Sequence, residues 1–246
     1  MIKSTVVLLA ILFAFFIVPN IAQASVYFSD DFNDNSFDTA KWTKEIASNG
    51  GPLGSINETG GQLVFNLQGG NPGGSAYAKS AVFNAGYNWA DIEFSGQWGM
   101  SAYTAGTQLF IYNADDPTKY FEADYSPYFQ TLWLYDSGNL GGSFYRTNSA
   151  ATPFDIRFTQ TGVEFLENGT RWGDFYSSTT MQGADDFFIR IGGGDYWVNS
   201  GDQYAYFDNI KVNGEEVQVV PEPATVSLLG MGLLGLTGFI RRKRSI

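Results

Sequence analysis

Two carboxyl groups separated by one residue are the side chains in this sequence best suited to chemistry on a substrate. Glu122 and Asp124 flank Ala123 in a stretch rich in aromatic residues. In a β-strand, residues two apart point to the same face, so the two carboxyl groups would lie side by side. Cleavage of a glycosidic bond uses such a pair, with one group as proton donor and the other as nucleophile or base. The spacing therefore places two carboxyl groups where they could act together on a bound substrate.

The residue composition excludes several other kinds of catalysis. The chain of 246 residues has no Cys and no His. Thiol catalysis, Ser-His-Asp triads and zinc or copper sites built from imidazole or thiolate are therefore excluded. Any bound metal ion must be a hard cation held by oxygen ligands.

Acidic residues greatly outnumber basic ones in the middle of the chain. Residues 25–220 contain 24 Asp and Glu against 9 Lys and Arg, which gives a net charge of −15. A charge of this sign argues against nucleic acid and against anionic membrane surfaces as partners. It suits either cation binding or simple solubility.

Aromatic side chains near the carboxyl pair predict a binding surface. Trp133 and Tyr135 alternate with leucines, and Tyr120 has the same parity as Glu122 and Asp124. If the aliphatic residues enter the core, the rings and the carboxylates lie on the opposite faces of their strands. Flat rings against sugar faces, with acids accepting hydroxyl hydrogen bonds, would form a saccharide-binding platform. The alternative is that these strands are central and covered on both faces.

The hydrophobic pattern predicts an all-β fold. Short runs of alternating apolar residues are separated by Gly, Asn, Asp and Pro, and long helical periodicity is missing. The pair Asn168 and Gly169 is the dipeptide most typical of a tight β-hairpin. About a dozen strands in one domain predict an antiparallel jelly-roll sandwich. The predicted strands are 62–67, 77–83, 91–94, 107–112, 119–125, 131–136, 143–147, 154–158, 163–167, 187–191 and 203–212.

Three segments resemble concanavalin A-like lectin and glucanase domains. They are FSDDFNDNSFDTAKW at 28–42, PFDIRFTQTGVEFLENGT at 153–170 and QYAYFDNIKVNG at 203–214. The resemblance implies two curved sheets, with ligands bound on the concave one. This fold occurs in lectins, glucanases, lyases and structural modules, so it does not define a single function.

The laminarinase-like branch of this fold carries its catalytic carboxyl groups on one strand in an E-x-D-x-x-E pattern. Here Glu122 and Asp124 match the first two positions, but Pro127 occupies the third. We therefore predict that the domain is not an enzyme and that it binds carbohydrate or serves as a matrix component. The alternatives are a polysaccharide-degrading enzyme of the laminarinase-like type and a purely structural matrix protein.

The same resemblance implies a structural calcium ion, which in such domains often joins the start of the chain to its final strand. Asp31 and Asp34 near the start, and Asp208 in the last predicted strand, are the expected ligands. The alternative is that these carboxylates cap turns on a solvated acidic surface.

The N-terminal residues have the features of a secretory signal peptide. Lys3 precedes a short apolar run, and a small-x-small cleavage site ends at Ala24. We predict that residues 1–24 are removed after Ala24 and that residues 25–217 form the β-sandwich domain.

The C-terminal residues begin with an extended segment before a second apolar run. Pro221, Glu222 and Pro223 cannot continue a helix, so they would stay accessible to a membrane-embedded protease. Residues 224–240 are uncharged and nearly long enough to span the hydrocarbon core as a transmembrane helix.

A basic cluster completes the tail and predicts its orientation. Arg241 and Arg242 open the cluster 241–244, and basic residues stay on the cytoplasmic side of a membrane. The whole tail, 218–246, resembles the PEP-CTERM sorting signal of Gram-negative bacteria. The resemblance implies a transient association with the inner membrane, recognition by an exosortase and cleavage near Pro221–Pro223. The protein would then reach the cell surface or an extracellular polysaccharide matrix.

Overall fold

The computed structural model describes a large part of the chain between residues 25 and 214. All of the described residues lie in one compact unit, Ala24–Glu215. None of the helices within them is both long and apolar enough to cross a membrane. The predicted signal peptide with Ala24, the predicted transmembrane helix and the basic tail lie outside the described residues. The described ranges are 25–48, 54–67, 74–85, 92–100, 105–126, 129–145, 152–159, 162–172, 181, 183–195 and 204–214.

The described part of the chain contains sixteen β-strands. They are β1 (Ser25–Asp30), β2 (Trp42–Ser48), β3 (Ser55–Thr59), β4 (Gln62–Asn66), β5 (Gly74–Ser80), β6 (Phe83–Asn84), β7 (Ile92–Met100), β8 (Ala105–Asn113), β9 (Tyr120–Ser126), β10 (Thr131–Asp136), β11 (Asn139–Tyr145), β12 (Thr152–Thr159), β13 (Gly162–Glu167), β14 (Thr170–Arg171), β15 (Asp186–Asp195) and β16 (Tyr204–Gly214).

The strands form two antiparallel sheets of eight strands each. The back sheet has the order β14-β13-β12-β7-β16-β4-β3, with β1 paired to β16. The front sheet has the order β11-β10-β9-β8-β15-β5-β2, with β6 paired to β15. Neighbours such as β8 and β15 are far apart in the sequence, as expected for jelly-roll connections. The predicted all-β antiparallel sandwich is confirmed.

The core is built from the alternate residues of strands in both sheets. In β4 and β16 of the back sheet, Phe65 and Phe207 are buried with ring centroids 5.8 Å apart. Trp42 and Trp98 also lie in the core and are 2% and 1% exposed. The indole Nε1 of Trp98 donates a hydrogen bond to Oε1 of Glu167 at 3.1 Å, which satisfies the polar edge of the ring.

The hairpin predicted at Asn168 and Gly169 is present between β13 and β14. Both residues have positive φ, 49° and 71°. A two-residue type I′ turn requires that geometry, and its backbone twist matches the twist of the flanking strands. The turn residues alone therefore predict this connection correctly.

Candidate functional site

The front sheet turns one face toward the core and the other away from it. Strand β9 shows why, because Phe121, Ala123 and Tyr125 are each at most 1% exposed. Residues between them must point the opposite way, so Glu122 and Asp124 lie on the outer side, which we call the front face. Strand β10 follows the same rule, and its buried leucines place Trp133 and Tyr135 there.

Cross-strand pairing arranges the front face in rows, since directly opposite residues share a face. The first row contains Asp124 and the second contains Glu122. The first row runs Glu45, Tyr77, Gly192, Gln108, Asp124, Trp133 and Ser143. The second row runs Thr43, Lys79, Arg190, Phe110, Glu122, Tyr135 and Leu140. A third row contains Phe188, Tyr112 and Tyr120.

All five residues of the predicted platform therefore lie on one face. Trp133, Tyr135 and Tyr120 are half-buried around the two carboxyl groups, so parts of their rings remain accessible. The ring of Phe129 meets Trp133 edge to face at 5.8 Å between centroids and is 55% exposed. This side of the front face offers the flat apolar surfaces to which sugar rings bind.

A chain of hydrogen bonds holds the carboxyl group of Glu122 in place. The phenol of Tyr77 donates to Oε1 of Gln108. Because that bond fixes the orientation of the amide, Nε2 of Gln108 points to Oε1 of Glu122 and donates to it at 3.2 Å. Gln108 is 4% exposed, so the bond to Glu122 is largely shielded from water.

Burial shifts both carboxyl groups toward their neutral forms. It raises the pKa of Glu122 to about 7, with a further rise from the charge of Asp124, opposed by Gln108 and Arg190. Burial also raises the pKa of Asp124 to about 7, opposed by a hydrogen bond with Gln108. Oδ1 of Asp124 is buried and makes no hydrogen bond with a described residue. A buried oxygen without a donor favours the protonated acid at Asp124.

Several front-face residues were not singled out in the sequence. Tyr77, Gln108, Phe110 and Arg190 come from three strands and meet only through pairing of β5, β8 and β15. Their alternation with buried residues was a usable signal, because it predicts which face each side chain occupies. The register that brings them beside Glu122 depends on contacts between distant segments, which a local pattern does not contain.

The three predicted calcium ligands have local partners or neighbours. Oδ1 of Asp31 accepts a turn hydrogen bond from the amide of Asn33 at 3.4 Å, and Oδ1 of Asp34 accepts one from Ser36 at 2.9 Å. Burial raises the pKa of Asp208, and the charge of Asp31 contributes to that rise. Within the described ranges, no group of three or more acidic side chains is arranged to hold a metal ion. The calcium site stays a prediction.

The C-terminal tail matches a known sorting signal. Residues 219–244 match the PEP-CTERM protein-sorting motif, which confirms the resemblance seen in the sequence. This motif is a signal for export and for sorting by an exosortase. The residues predicted to carry processing, Pro221, Glu222, Pro223, Arg241 and Arg242, lie outside the described part of the structure.

Solved structures with the same fold include several glucanases. The laminarinase catalytic domain of Thermotoga petrophila RKU-1 is 15% identical, with a TM-score of 0.58 over 80% of this chain and 100% of that chain. Laminarinase of Flavobacterium sp. UMI-01 is 12% identical, with a TM-score of 0.60 over 76% of this chain and 99% of that chain. A pseudo β-1,3-glucanase of Mycobacterium tuberculosis is 14% identical, with a TM-score of 0.55 over 78% of this chain and 99% of that chain.

These comparisons show a concanavalin A-like jelly-roll fold, which glucanases share, followed in the chain by a PEP-CTERM sorting motif. No curated protein matches the sequence. The prediction that the domain is not an enzyme is wrong on this comparison, because the fold is that of glycoside hydrolase catalytic domains. That prediction rested on Pro127, which replaces the third carboxylate of the pattern. The other two carboxyl groups, of Glu122 and Asp124, still lie together on the front face.

Proposed function

We propose that this protein is an exported glycoside hydrolase of the laminarinase-like type, with Glu122 and Asp124 as its carboxyl pair. The observation that carries the proposal is the position of both groups on one face of β9, beside Trp133 and Tyr135. Residues two apart in a strand are separated by about 7 Å between Cα atoms. Two carboxyl groups at this spacing can reach opposite sides of one glycosidic bond.

The environments of the two groups allow one to hold a proton while the other is ionised, because the pKa of each is raised to about 7. The protonated group acts as the general acid. Its proton passes to the glycosidic oxygen as the bond from that oxygen to the anomeric carbon breaks. The other group is ionised, and hydrogen bonding from Gln108 stabilises its charge. It acts as nucleophile at the anomeric carbon or as base for a water molecule.

The aromatic side of the front face would hold the sugars that flank the bond. Trp133, Tyr135 and Tyr120 present partly accessible rings, and carboxylates accept hydrogen bonds from hydroxyl groups. This surface is the binding platform predicted in the sequence. In an enzyme it positions the polysaccharide across Glu122 and Asp124, which converts a binding surface into a catalytic cleft.

The sorting motif supports an extracellular site of action. We infer that an exosortase cleaves the chain near Pro221–Pro223 after a transient stay in the inner membrane. The processed domain is then delivered to the cell surface or to an extracellular polysaccharide matrix, where its substrate would be found. The acidic composition keeps such a domain soluble there.

The test is a reducing-sugar assay of the full-length protein on glucans, alginate and galactans. Glu122→Gln removes the ionisable group and keeps its shape, and we expect activity to fall by about 10²- to 10⁴-fold. Glu93→Gln is the matched control. Burial also raises the pKa of Glu93, but this residue lies on the back sheet. Equal activity in wild type and Glu122→Gln, or loss in the control, would contradict the proposal.

A further inference from the structure

Basic residues in this acidic domain are mostly neutralised by carboxylates. Lys41, Lys119, Arg157 and Arg171 each form an ion pair of 3.6 or 3.7 Å with an Asp or Glu. Lys79, like Lys44 and Lys211, makes no ion pair with any described residue. Its ammonium lies over the ring of Phe188, 4.2 Å from the centroid.

Lys79 also lies on the front face, in the row of Glu122. It is directly opposite Arg190 across the β5–β15 pair. Strands in a sheet are about 4.8 Å apart, so Arg190 is about 10 Å and Lys79 about 14 Å from Glu122 along the row. The spacing between neighbouring strands is close to the length of one sugar residue in a polysaccharide. A polysaccharide that crosses the strands over Glu122 would therefore reach these two cations.

Arg190 lies next to Lys79 in this row, and only some of its hydrogen-bond donors are used within the protein. Its Nε donates to Oε2 of Glu45 at 2.7 Å, and its guanidinium lies over the ring of Tyr77, 3.5 Å from the centroid. The ring and the carboxylate hold the planar group in place. Its remaining N–H donors make no hydrogen bond with any other described residue. Arginine presents several donors in a fixed fork that suits carboxylate and sulfate oxygens.

The carboxylates near Lys79 do not cancel its charge. Glu45 is paired with Arg190. Glu122 and Asp124 do not pair with Lys79, because Glu122 lies three strand spacings away, about 14 Å along the row. Phe188 stacks on Tyr112 with centroids 4.7 Å apart, which fixes the ring beneath the ammonium. An anion on the substrate would meet a positioned, unpaired cation.

We propose that Lys79 and Arg190 form an anion-binding subsite, so that the polysaccharide bound on the front face carries carboxylate or sulfate groups. The inference rests on the proposed function for the placement of the polysaccharide, and it narrows the substrate to acidic polymers. The aromatic end of the front face binds the apolar faces of the sugars, and the cationic end selects their charge.

The test measures binding rather than cleavage, so it does not depend on activity. Full-length protein is run by affinity electrophoresis through gels containing a polyuronate, a sulfated galactan or a neutral β-1,3-glucan. Lys79→Gln should weaken binding to one acidic polymer by about fivefold and leave binding to the neutral glucan unchanged. The acidic polymer that responds distinguishes carboxylate from sulfate.

Two further variants make the test specific. Lys79→Arg keeps the charge and should retain binding to the acidic polymer. Lys211→Gln removes an exposed lysine of the back sheet and should have no effect. Unchanged binding in Lys79→Gln, an equal loss for neutral and acidic polymers, or preference for the neutral glucan would overturn the subsite. A cleaved neutral glucan with unchanged Lys79→Gln binding would refute the subsite and leave the hydrolase proposal standing.

Discussion

Asp124 is the residue whose surroundings most limit what the site can do. It is 9% exposed, one of its oxygens has no donor among the described residues, and Glu122 is on the same strand face. Two carboxyl groups in such a position resist simultaneous ionisation. The pair therefore shares its negative charge, which is the condition for one acid and one base at the same pH.

The raised pKa values predict how stability depends on pH. Glu122 and Asp124 titrate near pH 7 in the folded protein, above their ordinary values of 4.5 and 3.8. The folded state therefore binds protons more tightly than the unfolded state. Their contribution to the free energy of unfolding is complete below about pH 4 and is lost as the pH rises to about 7.

Thermal melting of matched variants tests this dependence. The double variant Glu122→Gln, Asp124→Asn should lose less stability between pH 4 and pH 8 than the wild type does. Asp115→Asn, in the turn after β8, is the control and should follow the wild-type curve. If the double variant and the wild type lose the same stability over this range, the proposed neutral state of the pair is wrong.

Strand faces could be predicted from the sequence, but strand partners could not. The alternation in β9 and β10 separates buried residues from Glu122, Asp124 and Trp133, because a side-chain period of two fixes the faces. Strands β1, β2 and β3 were missed. Segment Ser55–Thr59 is only five residues long and mostly polar, so pairing rather than hydrophobicity makes it a strand.

The pairing of β5 with β15 depends on a glycine in the first row. Gly192 lies between Tyr77 and Gln108, with φ of 154°. A Cβ at this position would lie 2.1 Å from the carbonyl oxygen of Ala76 and 2.8 Å from Cα of Tyr77. Both contacts involve backbone, so the two strands would have to separate. The local sequence does not predict that position 192 must be glycine.

Alanine substitution of two glycines tests the close approach at the element level. Gly192→Ala should lower the free energy of unfolding by about 3 kcal/mol, because the new methyl group collides with strand β5. Gly169 also has positive φ, but a Cβ there would meet no atom within 4 Å. Gly169→Ala should therefore lower the free energy of unfolding by only about 1 kcal/mol. Urea unfolding measures both values. Equal losses would show that backbone conformation, and not the β5–β15 contact, sets the cost.

At the scale of the whole molecule, the chain combines a C-terminal sorting motif with a β-sandwich domain. The sorting motif at 219–244 indicates export and sorting by an exosortase. Under the proposed function, the front face of the domain would then meet extracellular polymers. The tail was readable from sequence because its signal consists of ordered local features. The front-face constellation was only partly readable, because Lys79, Gln108 and Arg190 meet through tertiary pairing.

Processing of the tail predicts a shorter mature protein. Intact-mass analysis of cell-surface material should find a chain that lacks residues 1–24 and 224–246, because both segments act before the protein reaches its destination. Replacing Arg241 and Arg242 with Ala should leave uncleaved protein in the membrane fraction. Surface protein that still carries residues 224–246 would contradict exosortase processing.

The most direct test of the central claim follows the length of a polysaccharide during incubation with the protein. Size-exclusion chromatography would compare the wild type with the Glu122→Gln, Asp124→Asn double variant on the same acidic polymer. We predict that the wild type shortens the polymer steadily and that the double variant leaves its length unchanged. A polymer that keeps its full length with the wild type, across glucans, uronates and sulfated galactans, would contradict the assignment of this domain as a hydrolase.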